Sequence, residues 1–439
     1  MKQVLIQRGG AIVSDVPAPQ GSPKNILVQV AHSCISVGTE MAGVRMSGLP
    51  LYRRALKQPE NVKRVLEMMR DQGIKRTVDR VTGKLAAGSA TGYSAAGTVI
   101  AVGDEVEGFS VGDRVACAGA GIANHAEIID VPVNLAVKLP DSVNTDIGST
   151  VTLGAIAMQG VRRAQPTLGE TVVVVGLGIL GQLTAQMLSA NGCRVIGVDV
   201  DTRRTRLALD NGADICIDPA TDNYVDRVLK HTDGNGADCV IITAATESNQ
   251  VMSDAMHACR KKGRVVLVGD VGLDLNRADF YKKELDVLIS TSYGPGRYDP
   301  VYEEGGQDYP LPYVRWTENR NMQAYIEMLA RRKVRLDSFY HPPFPIDRAG
   351  EAYEALKGGG EKPLMVLLAY PARPEALARR MTMHASAPTS NKISVAIAGA
   401  SSFAQGMHLP NMVILRKDYE LRAVMSRTGR YKWLPLAGT

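Results

Sequence analysis

Two hydrophobic rhythms divide the chain. Over the first 150 residues the apolar positions fall in short runs at 3–7, 25–32, 95–102, 113–118 and 126–131, with Gly and Pro between them. Short runs punctuated in this way predict strands joined by tight turns, hence a barrel-like β domain. From Thr171 the rhythm changes. The stretches TVVVVG, RVIGVDV, ADICID, DCVIITAA, RVVLVG and LDVLIST are almost continuously apolar, as strands of a parallel sheet covered on both faces must be. Each spacer holds one helix, so this region predicts a doubly wound parallel sheet.

After Ser292 the pattern is irregular. A helical period then covers 319–332, a second helix runs from a cap at Asp347 to Gly358, and PLMVLLAY supplies a last strand. The Pro- and Ser-rich stretch 371–391 reads as a linker, and a new strand–helix–strand pattern begins at Lys392. One segment interrupts the barrel region. Between 51 and 85, Val62, Val65, Leu66 and Met69 recur at helical spacing, with Pro59 in the first turn and Gly73 just past the end. Ile74, Val78, Val81 and Leu85 continue on a second helix.

Composition and charge narrow the class. With 439 residues, 45% of them hydrophobic, the chain can bury two domain cores or slightly more. Many glycines and few aromatics favour an α/β enzyme over a β-rich binding module. The net charge is +6, and the insert at 51–85, ten basic residues against four acidic, carries an equal excess. No helix-turn-helix, finger or aromatic–basic repeat accompanies it, so nucleic acid is set aside as a partner. The insert is expected at the mouth of a cleft, where it attracts an anionic substrate, or as a barrel cap or dimer contact. No apolar run reaches the roughly 18 residues of a membrane span, and the six cysteines lie singly, as free thiols of a reducing compartment do. A cytoplasmic, soluble, possible homo-oligomer is expected, with no membrane contact.

The strongest chemical signal is Gly176-Leu177-Gly178-Ile179-Leu180-Gly181, directly after the first buried strand. Gly176 permits the tight turn, Gly178 lets a pyrophosphate approach the backbone, and Gly181 lets helix and strand pack, with the helix N-terminus facing the phosphates. Asp199 ends the next strand, where a carboxylate accepts from the adenosine ribose hydroxyls. Its charge repels a 2′-phosphate, so NAD is favoured over NADP, a preference that Arg203 and Arg204 soften unless they are a solvated helix start. Ala244 and Gly269, at the ends of later strands, complete the expected cofactor groove.

These features resemble the medium-chain dehydrogenase/reductase family of zinc-type alcohol dehydrogenases, whose members join a GroES-like barrel to a Rossmann domain that returns to the barrel. The resemblance covers about 1–370 and rests on GTVIAVGDEVEGFSVGDRV, the glycine turn with Asp199, GADCVIITAA and GRVVLVGDVG. It implies a GroES-like domain at 1–155 and 296–370 and a Rossmann domain at 156–295. ISVGTE, FYKKEL, YGPGRYDPVYEEGGQDYP and YVRWTENRN look more like the dehydrogenase half of bacterial two-domain oxidoreductases. The stretch KISVAIAGASSFAQGMHLPNM resembles the opening of glucose-fructose oxidoreductase and inositol dehydrogenase domains. Residues 392–439 are therefore expected to be a truncated second Rossmann fragment that binds no cofactor.

The departures from the family pattern bear on mechanism. By alignment, Val37 and Tyr93 stand at the first two zinc-ligand positions and the third falls near Thr152 or Leu153, while only Cys117 lies in the region of the structural-zinc lobe. None is a zinc ligand of the usual kind, so no metal is expected. Without a Lewis acid, a carbonyl needs a proton donor and a polarising group. Tyr93 can donate to the substrate oxygen or merely plug the emptied cavity. Thr39 matches the family's relay hydroxyl, Glu40 its outer acid, and the relay histidine has become Ala42. Thr39 can instead bind the nicotinamide ribose, Glu40 reads as structural, and His125 and His32 read as packed histidines. Arg297, beside Tyr298 on the segment returning to the cleft, suits a carboxylate or phosphate or lies on a surface loop. The resemblance thus implies a zinc-independent, NAD-preferring oxidoreductase acting on a hydroxyl or carbonyl of a sugar, cyclitol or nucleotide sugar. A quinone or enone reductase and a non-catalytic NAD-binding regulatory or scaffold subunit are the alternatives.

Overall fold

The computed structural model describes residues 1–57, 59–74, 77–78, 81, 88–357, 363–372, 391–399 and 403–425. Six parallel strands form its central sheet, in the spatial order Ile215–Ile217, Arg194–Val198, Thr171–Val175, Ala237–Ile242, Cys259–Leu267, Asp286–Ile289. Every strand was marked by one of the six apolar runs. Val173 pairs with Ile196 on one side and Val240 on the other, and all three are fully buried. Such burial on both faces is why the runs do not alternate. The helix Val151–Ala164 packs against Glu318–Ala330, and Gly154 admits the Tyr325 ring where a Cβ would come within 2.3 Å of it.

The barrel is organised on one long strand, Asn25–Ile35, which pairs antiparallel with Ser94–Val102, Ile128–Pro132 and Val366–Ala369. The last of these follows the parallel sheet in the chain and pairs with Val366 opposite Ile35. Arg114–Ala118 and Ala136–Lys138 extend the sheet. The hairpin of Lys2–Gln7 with Gly10–Asp15 lies beside it, and its second strand has only half-buried apolar residues, a weak signal.

Three local expectations change. The helix Val37–Gly48 was not foreseen, because VGTEMAGVRMSG mixes three β-branched residues with three glycines and has poor intrinsic propensity. Burial of Met41 and Val44 sustains it. Asp347 does not cap the helix Ala349–Lys357: it lies inside the turn Ile346–Arg348, and its carboxylate takes the Lys2 ammonium at 2.6 Å. In the insert, Leu51–Lys57 and Pro59–Gln72 are helical and Gly73 follows at φ +82°, but most of the expected second helix, with Lys75 and Arg76, lies outside the described residues.

Most of the expected linker, 373–390, also lies outside them, as do Ser401 and 426–439. Beyond it, Ile393–Ala398 and Tyr419–Met425 pair in parallel across the helix Leu409–Ile414, the strand–helix–strand unit read from the sequence. Among the described residues no helix is long and apolar enough to cross a membrane.

Candidate active site

The cofactor side is built mostly of backbone. Gly176 adopts φ +91°, and a Cβ there would meet the Ala244 backbone at 2.7 Å. A Cβ at Gly181 would lie 1.9 Å from the Gly176 carbonyl, so the helix Ile179–Ala190 approaches the turn only because both positions are bare. Gly269 is held in the same way, with a Cβ falling 2.0 Å from the Ala244 carbonyl. Gly178 differs: a Cβ there meets nothing within 4 Å, and as N-cap it leaves the helix without a side-chain cap. Open space before an uncapped helix N-terminus is what a pyrophosphate requires, so these residues fit the dinucleotide.

Asp199 is buried at the end of its strand. One oxygen accepts the Leu177 N–H at 2.6 Å and the other the Asp201 N–H at 2.8 Å, and Arg204 stands 3.5 Å away. The acid thus ties the glycine turn to the ribose end of the groove. Arg203 pairs with Asp201 at 2.9 Å, and Arg204 also reaches Asp201 at 3.6 Å. A cavity of about 480 Å³ opens beside this end, between the two arginines and the returning segment at Ser338, His341 and Phe344.

On the barrel side, Tyr93 and Thr39 do come together. Burial pushes the pKa of the Tyr93 phenol up to about 12, against the pull of Ser36 and Thr39 at the start of Val37–Gly48. Thr39 is exposed and Tyr93 half-buried. Thr152 donates to the Tyr93 carbonyl at 2.8 Å and Leu153 is buried. Val37, Tyr93, Thr152 and Leu153 offer no thiolate, imidazole or carboxylate.

Glu40 and His125, read from the sequence as an outer or structural acid and a packed histidine, form one buried pair. Glu40 accepts the Ser36 N–H at 2.8 Å, the Thr91 hydroxyl at 2.7 Å, the Tyr353 phenol, and His125 Nε2 at 3.0 Å. Burial pushes the Glu40 carboxyl up, but the charge and hydrogen bond of His125, with those of Tyr353 and Thr91, hold it below the usual carboxylate range. His125 Nδ1 meets the Ser33 hydroxyl at 2.7 Å, and that hydroxyl meets Tyr370 Oη at 2.8 Å. Ser33, Ser36, Thr91, Tyr353 and Tyr370 were missed: Tyr353 is 313 residues from Glu40, and no local spacing links them. His32 is half-buried, with Nδ1 2.9 Å from Thr145 Oγ1, and burial lowers its pKa.

Arg297, read from the sequence as suited to a carboxylate or phosphate, has an internal partner. Its guanidinium pairs with Glu303 at 2.6 Å and lies over the rings of Tyr293 and Tyr298, so the carboxylate that it takes in this structure is internal.

Two family models match in chain order: an alcohol dehydrogenase GroES-like domain over 68–141 and a zinc-binding dehydrogenase over 180–304. The chain is 26% identical to the D-guloside 3-dehydrogenase of Escherichia coli (strain K12), over 60% of this chain and 72% of that protein. It is 27% identical to the quinone oxidoreductase of Rattus norvegicus, over 63% of this chain and 79% of that one. Its fold is that of the galactitol-1-phosphate dehydrogenase of Escherichia coli, with TM-score 0.65 at 18% identity, over 84% of this chain and 100% of that one. A GroES-like barrel, a parallel sheet in the dinucleotide-binding order and these matches make the chain an oxidoreductase similar to those of the medium-chain dehydrogenase/reductase family.

Proposed function

We propose that the protein is a zinc-independent, NAD-preferring oxidoreductase that interconverts a hydroxyl and a carbonyl on a sugar, cyclitol or nucleotide sugar. The observation that carries this reading is the Tyr93 phenol, set beside Thr39 and Ser36 at the position where the sequence resemblance puts a metal ligand. The glycine turn and Gly178 hold the pyrophosphate and Asp199 the ribose; the nicotinamide, when bound, supplies or accepts the hydride. Everything else falls to side chains. Tyr93 holds its proton near neutral pH, because its pKa is pushed up to about 12. It therefore suits donation to a developing alkoxide better than abstraction from an alcohol, and the reading favours reduction of the carbonyl. The exposed Thr39 hydroxyl shares that oxygen or the nicotinamide ribose.

Support for the substrate class comes from relatives that act on sugars, the D-guloside 3-dehydrogenase among them. A quinone reductase is the second reading, favoured by the likeness to quinone oxidoreductases. NADH oxidation with a quinone panel, set beside NAD reduction with polyols and NADH oxidation with keto-sugars, separates the two. Turnover of quinones alone overturns the first reading. NADH binding with no turnover on either panel favours a regulatory or scaffold subunit.

A further inference from the structure

The buried acid beside the proposed proton donor has more partners than a structural carboxylate needs. Glu40 gathers donors from separate segments: Ser36 at the cap of its own helix, Thr91, His125, and Tyr353 on Ala349–Lys357. Two of these flank Tyr93. Ser36 stands beside its phenol, and Thr91 lies two residues before it in the chain. A displacement of Glu40 therefore moves both the cap residue beside the phenol and the backbone that carries it.

His125 fixes Glu40 in turn. Its ring is fully buried and packs against Gly92, where a Cβ would come within 2.6 Å of the His125 backbone nitrogen; Gly92, at φ +95°, is the residue immediately before Tyr93. The network assigns the tautomer. Glu40 is an acceptor, so Nε2 carries the proton; Nδ1 then accepts from Ser33, and Ser33 accepts from Tyr370. Every donor in this chain points toward Glu40. A packing histidine has no use for such order, since an aromatic ring of similar size fills the same space without polar partners to satisfy.

We propose that His125, acting through Glu40, is a positioning residue for the Tyr93 phenol, and that the Ser33–His125–Glu40 chain does in this protein what a metal ion does when it fixes the substrate-binding side chain. The proposal rests on Tyr93 being the proton donor, but its geometry can be tested without a substrate.

The test uses the full-length protein labelled with ¹³C at tyrosine Cζ, with Tyr93→Phe to assign the resonance. His125→Phe removes both ring nitrogens, and His125→Gln restores one donor. The Tyr93 resonance should move in His125→Phe and return most of the way in His125→Gln, with NADH affinity by fluorescence titration unchanged in both. Once a substrate is in hand, kcat should fall on the order of 10- to 100-fold in His125→Phe with KM unchanged, the scale of a small misplacement of a reacting group. An unmoved Tyr93 resonance in a folded His125→Phe protein overturns the proposal. Should that variant not fold, the imidazole ¹H–¹⁵N spectrum of the unaltered protein decides: the proton must sit on Nε2, and a neutral ring protonated on Nδ1 overturns it. If Tyr93→Phe keeps full activity while the resonance still follows His125, the catalytic reading fails and the positioning stands.

Discussion

The cofactor groove and the hydrogen-bonded network of the barrel are made in opposite ways. The groove is a matter of bare backbone: Gly176, Gly181 and Gly269 are required because a Cβ at any of them would come within 2.7 Å of a neighbouring main chain. The network is a matter of side chains drawn from five places between Ser33 and Tyr370, knit around one buried carboxylate. A backbone site is specified by a short run of sequence and resists drift, because most substitutions simply do not fit. A side-chain site can exchange its chemistry while its frame persists. Here the sequence reading puts Val37 and Tyr93 at the ligand positions, and the structure adds the buried pair of His125 and Glu40.

The largest effect expected on the barrel side is that of Tyr93→Phe. Removing the hydroxyl should lower turnover by about 10²- to 10⁴-fold, the range for losing a positioned general acid, with NADH affinity unaltered. Steady-state rates and nucleotide titration check this, and a fully active variant would reduce Tyr93 to a plug.

Glu40→Ala comes next. It leaves Thr91, Tyr353, His125 and the Ser36 N–H buried without their acceptor, and should cost about 3 to 5 kcal/mol, as when one partner of a buried pair is lost. The pH dependence follows from the sign of the shift. The Glu40 carboxyl lies below its ordinary value in the folded protein, so its contribution is present at neutral pH and is lost as pH falls through the folded-state value. The melting-temperature gap between the protein and Glu40→Gln should therefore be wide at pH 7 and close below the usual glutamate range. A gap that widens in acid would show that the carboxyl is held protonated.

On the groove side, two glycines should part company. Gly181→Ala forces a Cβ onto the Gly176 carbonyl and should cost about 1 to 3 kcal/mol of stability or more. Gly178→Ala enters open space and should leave the melting temperature alone while weakening NADH by about tenfold. Asp199→Ala should weaken the preference for NADH over NADPH by about 1 to 3 kcal/mol, the range for a charged hydrogen-bond partner. Equal affinity for the two cofactors in the unaltered protein would remove its premise.

The smallest effect belongs to the insert. Reversing Arg70, with Lys75 and Arg76, should raise the apparent constant for an anionic substrate by no more than about tenfold at low salt and not at all at high salt. No change at either would leave the insert as a cap or a contact.

What the sequence determined by itself was whatever depends on near neighbours in the chain. The apolar runs gave the six parallel strands, since a strand buried on both faces has no polar positions to alternate. The glycine turn and Asp199 stand 23 residues apart from first glycine to acid and were legible as a pair. The tertiary structure alone decided the rest. It made a helix of Val37–Gly48 by burying Met41 and Val44, took Asp347 from its cap to Lys2, and spent Arg297 on Glu303. It also turned His125 from a packed ring into the partner of Glu40, because a carboxylate removed from water must find donors wherever the fold brings them, and the fold brought them from as far as Tyr353.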